Sequence, residues 1–178
     1  EALERYHHCV DDASTERVKQ LDDLRFCTLD QWPAQVRNAR ELDPNGARPC
    51  LTIDKINQYI TQVVNDIRQN RPSGKVRAID DGADPKTAEI FQDIIREIED
   101  QSSAPIAYET AVESAVRVGE GYFRFITEYE DDESDAQVIK VKRIPNAFAV
   151  LLGPHIMPDG SDAEYGCVTE DVPKGRFK

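Results

Sequence analysis

The side chains here that can bind a metal or move a proton are three histidines, four cysteines and 34 carboxylates, and their spacing limits what each set can do. His7 and His8 are adjacent, so on a helix their rings diverge by about 100°, and only Glu4 shares a face with His8 at the i, i+4 spacing. A metal centre needs three or four converging donors, and no neighbouring pattern supplies the remainder. His155 stands by itself. Cys9, Cys27, Cys50 and Cys167 contain no C-x-x-C pair, so neither a zinc site nor a secreted disulfide framework is indicated. Reduced thiols in a cytoplasmic setting are the expectation.

Gly119-Glu120-Gly121 has the composition of an anion-binding loop. Such loops follow a strand and open a helix, so that the first helical amides face the anion. Here the order is reversed, with a helical period before the glycines and a strand-like one after them. That order fits a helix C-cap needing positive φ. The acidic stretch "EYEDDESDAQ" has carboxylates enough for calcium but lacks the glycine and terminal glutamate of an EF-hand loop. It reads as a solvated hairpin tip whose charge discourages strand-edge association. Arg68, Arg71, Lys75 and Arg77 form the one basic cluster, at a position where cations complement a helix C-terminus. No serine or cysteine sits in a nucleophile elbow, and no Walker-type or paired-carboxylate pattern occurs. The residues therefore point to no catalytic, cofactor-binding or metal-binding set, to no cofactor, and to a protein that is not an enzyme.

The elements that carry these residues belong to a folded chain. Its 178 residues suffice for a core without disulfide or metal staples, and 39% hydrophobic with 31% charged residues is well short of a disordered composition. Asp plus Glu outnumber Lys plus Arg by 34 to 22, a net charge of -12, which opposes a surface built to grip nucleic-acid phosphates. The longest apolar run, residues 147–152, is far below the roughly 20 residues of a membrane span, and no secretion signal opens the chain. It begins at Glu1 without methionine and ends in "PKGRFK", where a basic run after Pro173 reads like a helix cut short. A piece of a longer chain is expected.

Residues 2–40 are helical in pattern, with Ser14 or Thr15 predicted to cap a second helix and Trp32-Pro33 to end or bend the region. "ELDPNGARP" reads as a loop and a candidate linker. Thr52 is the predicted N-cap of a helix about 27 Å long whose apolar residues run from Ile53 through Ile56, Ile60 and Val63 or Val64 to Ile67. Residues 75–79 alternate like a short strand, Asp81-Gly82 reads as a turn, and Asp84-Pro85 as an aspartate cap before a first-turn proline. Ala88, Phe91, Ile94 or Ile95, and Ile98 supply one apolar stripe. Beyond Pro105, a helix over residues 106–118 carries Ala107, Ala111, Ala115 and Gly119 at every fourth position, a ridge that permits close packing. "YFRFITEYE" and "QVIKVKRI" then flank the acidic turn as a β-hairpin, with Glu128 and Glu130 facing Lys140 and Lys142. "AFAVLL" and "AEYGCVTEDV" read as two further strands around a Pro158-Asp159-Gly160 turn. Helices first and sheet second make the fold class α+β.

Three segments taken together resemble a known family: "RPCLTIDKINQYITQVVNDIRQNRPSGKVRAID", "ADPKTAEIFQDIIREIED", and "AYETAVESAVRVGEGYFRFITEYEDD" followed by "QVIKVKRIPNAFAV". In this order and spacing they resemble the amino-terminal part of the portal proteins of short-tailed bacteriophages and related prophages. The likeness is close over residues 48–150 and looser in the flanks. The chain departs from the pattern at Leu152-Gly153-Pro154, where relatives tend to carry an acid before the proline, and at Glu120, where a bulkier apolar residue is common.

The resemblance implies a structural subunit of a homo-oligomeric ring, usually of about a dozen copies joined by heterologous interfaces. Such a ring occupies one capsid vertex as the conduit for DNA packaging and ejection. The implied partners are terminase, capsid or scaffolding and tail-adaptor proteins, with DNA passing through without sequence-specific binding, no membrane, and assembly in the bacterial host cytoplasm. It also implies a division into an amino-terminal helical segment, residues 1–45, and a wing-like α+β region, residues 46–178. The alternative from the residues themselves is a nucleic-acid-associated phage or host binding module using the Arg68 to Arg77 cluster, for which tight, salt-sensitive DNA binding would be the signature.

Overall fold

A computed structural model describes residues 1–44, 46–70, 74–79, 84–131, 134–157 and 159–175. Helix α1 (Ala2–Cys27) is one uninterrupted helix of 26 residues. The predicted break at Ser14 or Thr15 does not occur. The Ser14 hydroxyl donates to the Asp11 carbonyl at 2.8 Å, so it is satisfied within the helix instead of capping a new one. The helix stops at Thr28, and Leu29 turns away with φ of 70°. Pro33 then precedes α2 (Ala34–Glu41), so the Trp32-Pro33 pair separates two helices. Trp32 pins the following loop by donating its indole N–H to the Leu51 carbonyl at 3.2 Å. The Arg40 guanidinium covers the other side of that ring.

Helix α3 (Ile56–Gln69) starts later than the Thr52 cap predicts and at 14 residues spans only about 21 Å. Asp54, not Thr52, satisfies its start, accepting from the Asn57 backbone N–H at 3.1 Å and the Asn57 side chain at 2.8 Å. The predicted strand at residues 75–79 is absent as well. The segment has no regular secondary structure, no strand lies beside it among the described residues, and what holds it is the Gln92 amide. Gln92 accepts from the Val76 N–H at 2.8 Å and donates to the Gly74 carbonyl at 3.1 Å. Asp81-Gly82 lies outside the described residues.

Helix α4 (Pro85–Gln101) begins as the sequence predicts, the Asp84 carboxylate accepting from the Lys86 N–H at 3.1 Å with proline in the first turn. Ser103, with φ of 50°, makes the sharp corner into α5 (Ala104–Val118). Gly119 closes α5 with φ of 86°, the predicted C-cap. Two residues on, a Cβ at Gly121 would sit 1.7 Å from the Ala111 carbonyl oxygen, so only glycine lets the outgoing chain pass this close to the helix.

Strands β1 (Phe123–Tyr129) and β2 (Gln137–Arg143) form the predicted antiparallel hairpin, with Phe125 opposite Val141 and Thr127 opposite Ile139. A 3-10 turn at Ala147–Ala149, capped by the Asn146 side chain, leads to β3 (Val150–Leu152), which pairs antiparallel with β4 (Gly166–Val168). Both late strands are therefore present but short. In the turn between them Gly160, with φ of 66°, donates to the Met157 carbonyl at 2.9 Å; Pro158 lies outside the described residues. The architecture is α+β, five helices and two separate two-stranded sheets among the described residues.

Helix α5 is the hub, packed against α1, α3, α4 and β2. Its small residues Ala104 and Ala107 are buried against Val141 of β2, with Ile98 and Tyr108 completing that cluster. A second cluster joins Cys27 at the end of α1 to Ile60 and Val64 of α3. The predicted ridge on α5 is thus used at Ala107 and Ala111, whereas Ala115 remains exposed. No described helix is long and apolar enough to cross a membrane.

Candidate functional surface

The candidate metal ligands do not converge among the described residues. His7 and His8 lie exposed on α1, and Glu4 pairs with the amino-terminal ammonium at 3.2 Å. The His155 ring nitrogen Nδ1 lies 2.8 Å from the Gly153 carbonyl oxygen. Among the described residues no three His, Cys, Asp or Glu side chains gather as a metal centre would require. Gly119 to Gly121 sit at the carboxyl end of α5, the negative end of its dipole, and so present no anion-binding amides. Of the basic cluster, Arg68 pairs with Glu109 of α5 at 3.1 Å, Lys75 and Arg77 are exposed beside α4, and Arg71 lies outside the described residues. On the hairpin, Glu128 takes both predicted lysines, Lys140 at 3.0 Å and Lys142 at 3.2 Å, in place of sharing them with Glu130, and those two ammonium groups hold its carboxyl below the ordinary range.

The densest polar grouping was not foreseen from the sequence. Arg17 of α1 reaches across to the 3-10 turn and β3, donating to the carbonyls of Ala147 and Val150 and to the Gln20 side chain. Its guanidinium also stacks over Phe148, 5.1 Å from the ring centre. Beside it, in a cleft of about 200 Å³, Tyr122 donates to Glu120 at 3.0 Å. Burial, then the Glu120 charge, push the Tyr122 hydroxyl up to about 12. A phenol held protonated so firmly is a hydrogen-bond donor, not a general base near neutral pH. Arg17, for its part, spends its fork on backbone carbonyls. The grouping fastens α1 to the sheet, and Asp12, Glu16 and His155 line the same cleft. No local motif signals Arg17, because its partners lie at the far end of the chain.

What the molecule presents is surface. The chain exposes 14031 Å², whereas a compact monomer of 20.1 kDa exposes about 8,700 Å². The surplus, about 5,300 Å², compares with about 800 Å² that each partner gives to a standard protein interface. Much of the exposed area is apolar and placed on regular elements. Ile90, Phe91 and Ile94 stand out from α4, and Phe125 and Tyr129 from β1 are 64% and 62% exposed. The aromatic rings of Tyr108, Phe123 and Phe125 stack edge-on in a row, at 5.0 and 5.6 Å between centres, leading from the α5 cluster out to solvent. The predicted stripe on α4 is only half used: Ala88, Ile95 and Ile98 turn inward, while Phe91 and Ile94 do not. A family model, Phage P22-like portal protein, matches residues 3–178, essentially the whole chain.

Proposed function

Since the chain belongs to the phage P22-like portal protein family, structural components of the virion, we propose that it is a wing-region subunit of the portal ring at one capsid vertex. In this reading the ring is the conduit for DNA packaging and ejection, and residues 46–178 supply the wing-like body. The amino-terminal helical segment, residues 1–45, acts as its buttress through α1, which packs on α5, β3 and β4. The copies meet through heterologous contacts, one face of a subunit against a different face of the next. Terminase, capsid or scaffolding proteins and tail adaptors are the partners such a ring would engage, with assembly in the host cytoplasm.

The observation that carries this reading is the end-to-end family match, and the large apolar side chains left exposed on α4 and β1 support it. A subunit buried between neighbours must leave such area bare when it stands alone. The acidic balance suits a ring past which DNA slides, since a surface of net charge -12 does not hold phosphates. Electron micrographs of the protein expressed from its full gene test the proposal: closed rings are expected, and a strictly monomeric protein at high concentration and low salt would overturn it.

A further inference from the structure

The four cysteines are scattered in sequence, but the fold brings two of them together. Helix α1 lies along the β3–β4 ribbon in a register set by two anchors. Arg5 stacks over the ring of Tyr165, just before β4, at 5.5 Å, and Arg17 holds the carbonyls of Ala147 and Val150 at the start of β3. Between the anchors, one turn beyond Arg5, Cys9 is 0% exposed. Helix α1 packs on β4 here, and the neighbour of Cys9 is Cys167, the middle residue of β4, held opposite Leu151. Both are free thiols. Cys167 is only half-buried, so a small reagent can reach it, while Cys9 is open to attack only through Cys167. Cys27, by contrast, is packed with Ile60 and Val64.

We infer that Cys9 and Cys167 are a modification site, a dithiol that a low-molecular-weight disulfide such as oxidised glutathione converts into an intramolecular disulfide bolting α1 to the β3–β4 ribbon. The Cys167 thiolate attacks one sulfur of the reagent, forming a mixed disulfide and releasing one reagent thiolate. The Cys9 thiolate then attacks the Cys167 sulfur and releases the second. Two cysteine thiols lose two electrons, the reagent disulfide gains them, and the two cysteine protons end on the two released thiols. Burial, followed by the neighbouring Cys167 and Asp12, pushes the Cys9 thiol up, so the second step quickens as pH rises. A reducing cytoplasm keeps the pair open during assembly, and an oxidising medium outside the cell closes it. The inference stands on the α1–β4 contact and is independent of the ring reading.

The test is exposure of the reduced, purified protein to excess oxidised glutathione under native conditions, acid quench, alkylation and peptide mass mapping without reductant. The expected result is one linked pair of peptides containing Cys9 and Cys167, lighter by two hydrogens and restored by dithiothreitol. It should be accompanied by faster migration on a non-reducing denaturing gel. Cys167→Ser should abolish the link, and Cys9→Ala, which keeps the buried site apolar, should stop at glutathionylated Cys167. Alkylation of both thiols after oxidation, glutathione retained on Cys167 in the unsubstituted protein, or a link to Cys27 or Cys50 instead would overturn the inference.

Discussion

Arg17 is where a single side chain holds distant parts of the chain together. Its guanidinium serves two backbone carbonyls, the Gln20 amide oxygen and a phenyl face at once, a geometry that an ammonium cannot reproduce. Arg17→Lys keeps the charge and loses the fork, and should cost about 2 kcal/mol in urea denaturation. The neighbouring Tyr122 makes a prediction in pH. Its folded pKa is raised to about 12 by burial and by Glu120, against about 10 for the phenol in an unfolded chain. The folded state therefore holds the proton more tightly. The corresponding stability is fully present below pH 10 and is lost as pH climbs through 12. Tyr122→Phe should flatten that alkaline loss in denaturation curves taken across the range, whereas the part due to Tyr108, raised in the same direction by burial and Glu99, should remain.

At the scale of elements, the segment 74–79 shows how one side chain can substitute for a sheet partner. Gln92 presents its amide as a peptide group would, bonding Val76 and Gly74. Gln92→Ala removes both bonds, and the Val76 amide should then exchange with deuterium about tenfold faster, the equivalent of roughly 1.4 kcal/mol. The same segment marks the limit of what the sequence conveys. Alternation in residues 75–79 suggests a strand, but a strand needs a second strand, and pattern cannot supply one. The hairpin was legible because both partners lie within one acidic turn of each other, and α4 because aspartate followed by proline fixes a helix start locally. A break within the first helix and the start of the third were misread where competing caps were equally good: Ser14 found a carbonyl within its own helix, and Asp54 outbid Thr52. The α1 anchorage through Arg17 and Cys9 depends on contacts between opposite ends of the chain, which no window along the sequence contains.

At the scale of the whole molecule, a body with one hub helix and two small sheets leaves far more surface than a compact monomer would. Its net charge of -12 goes with apolar side chains left bare on α4 and β1. The sequence conveyed the acidic charge. It did not convey which apolar residues stay outside, because Phe91 and Ile94 obey the same helical period as the inward Ala88 and Ile98. The most direct test of assembly by these faces is hydroxyl-radical footprinting of Phe91, Phe125 and Tyr129 in assembled rings and in dissociated subunits. Strong protection of these rings on assembly is expected, while equal labelling in the two states would contradict the assignment of the bare apolar surface to contacts between copies.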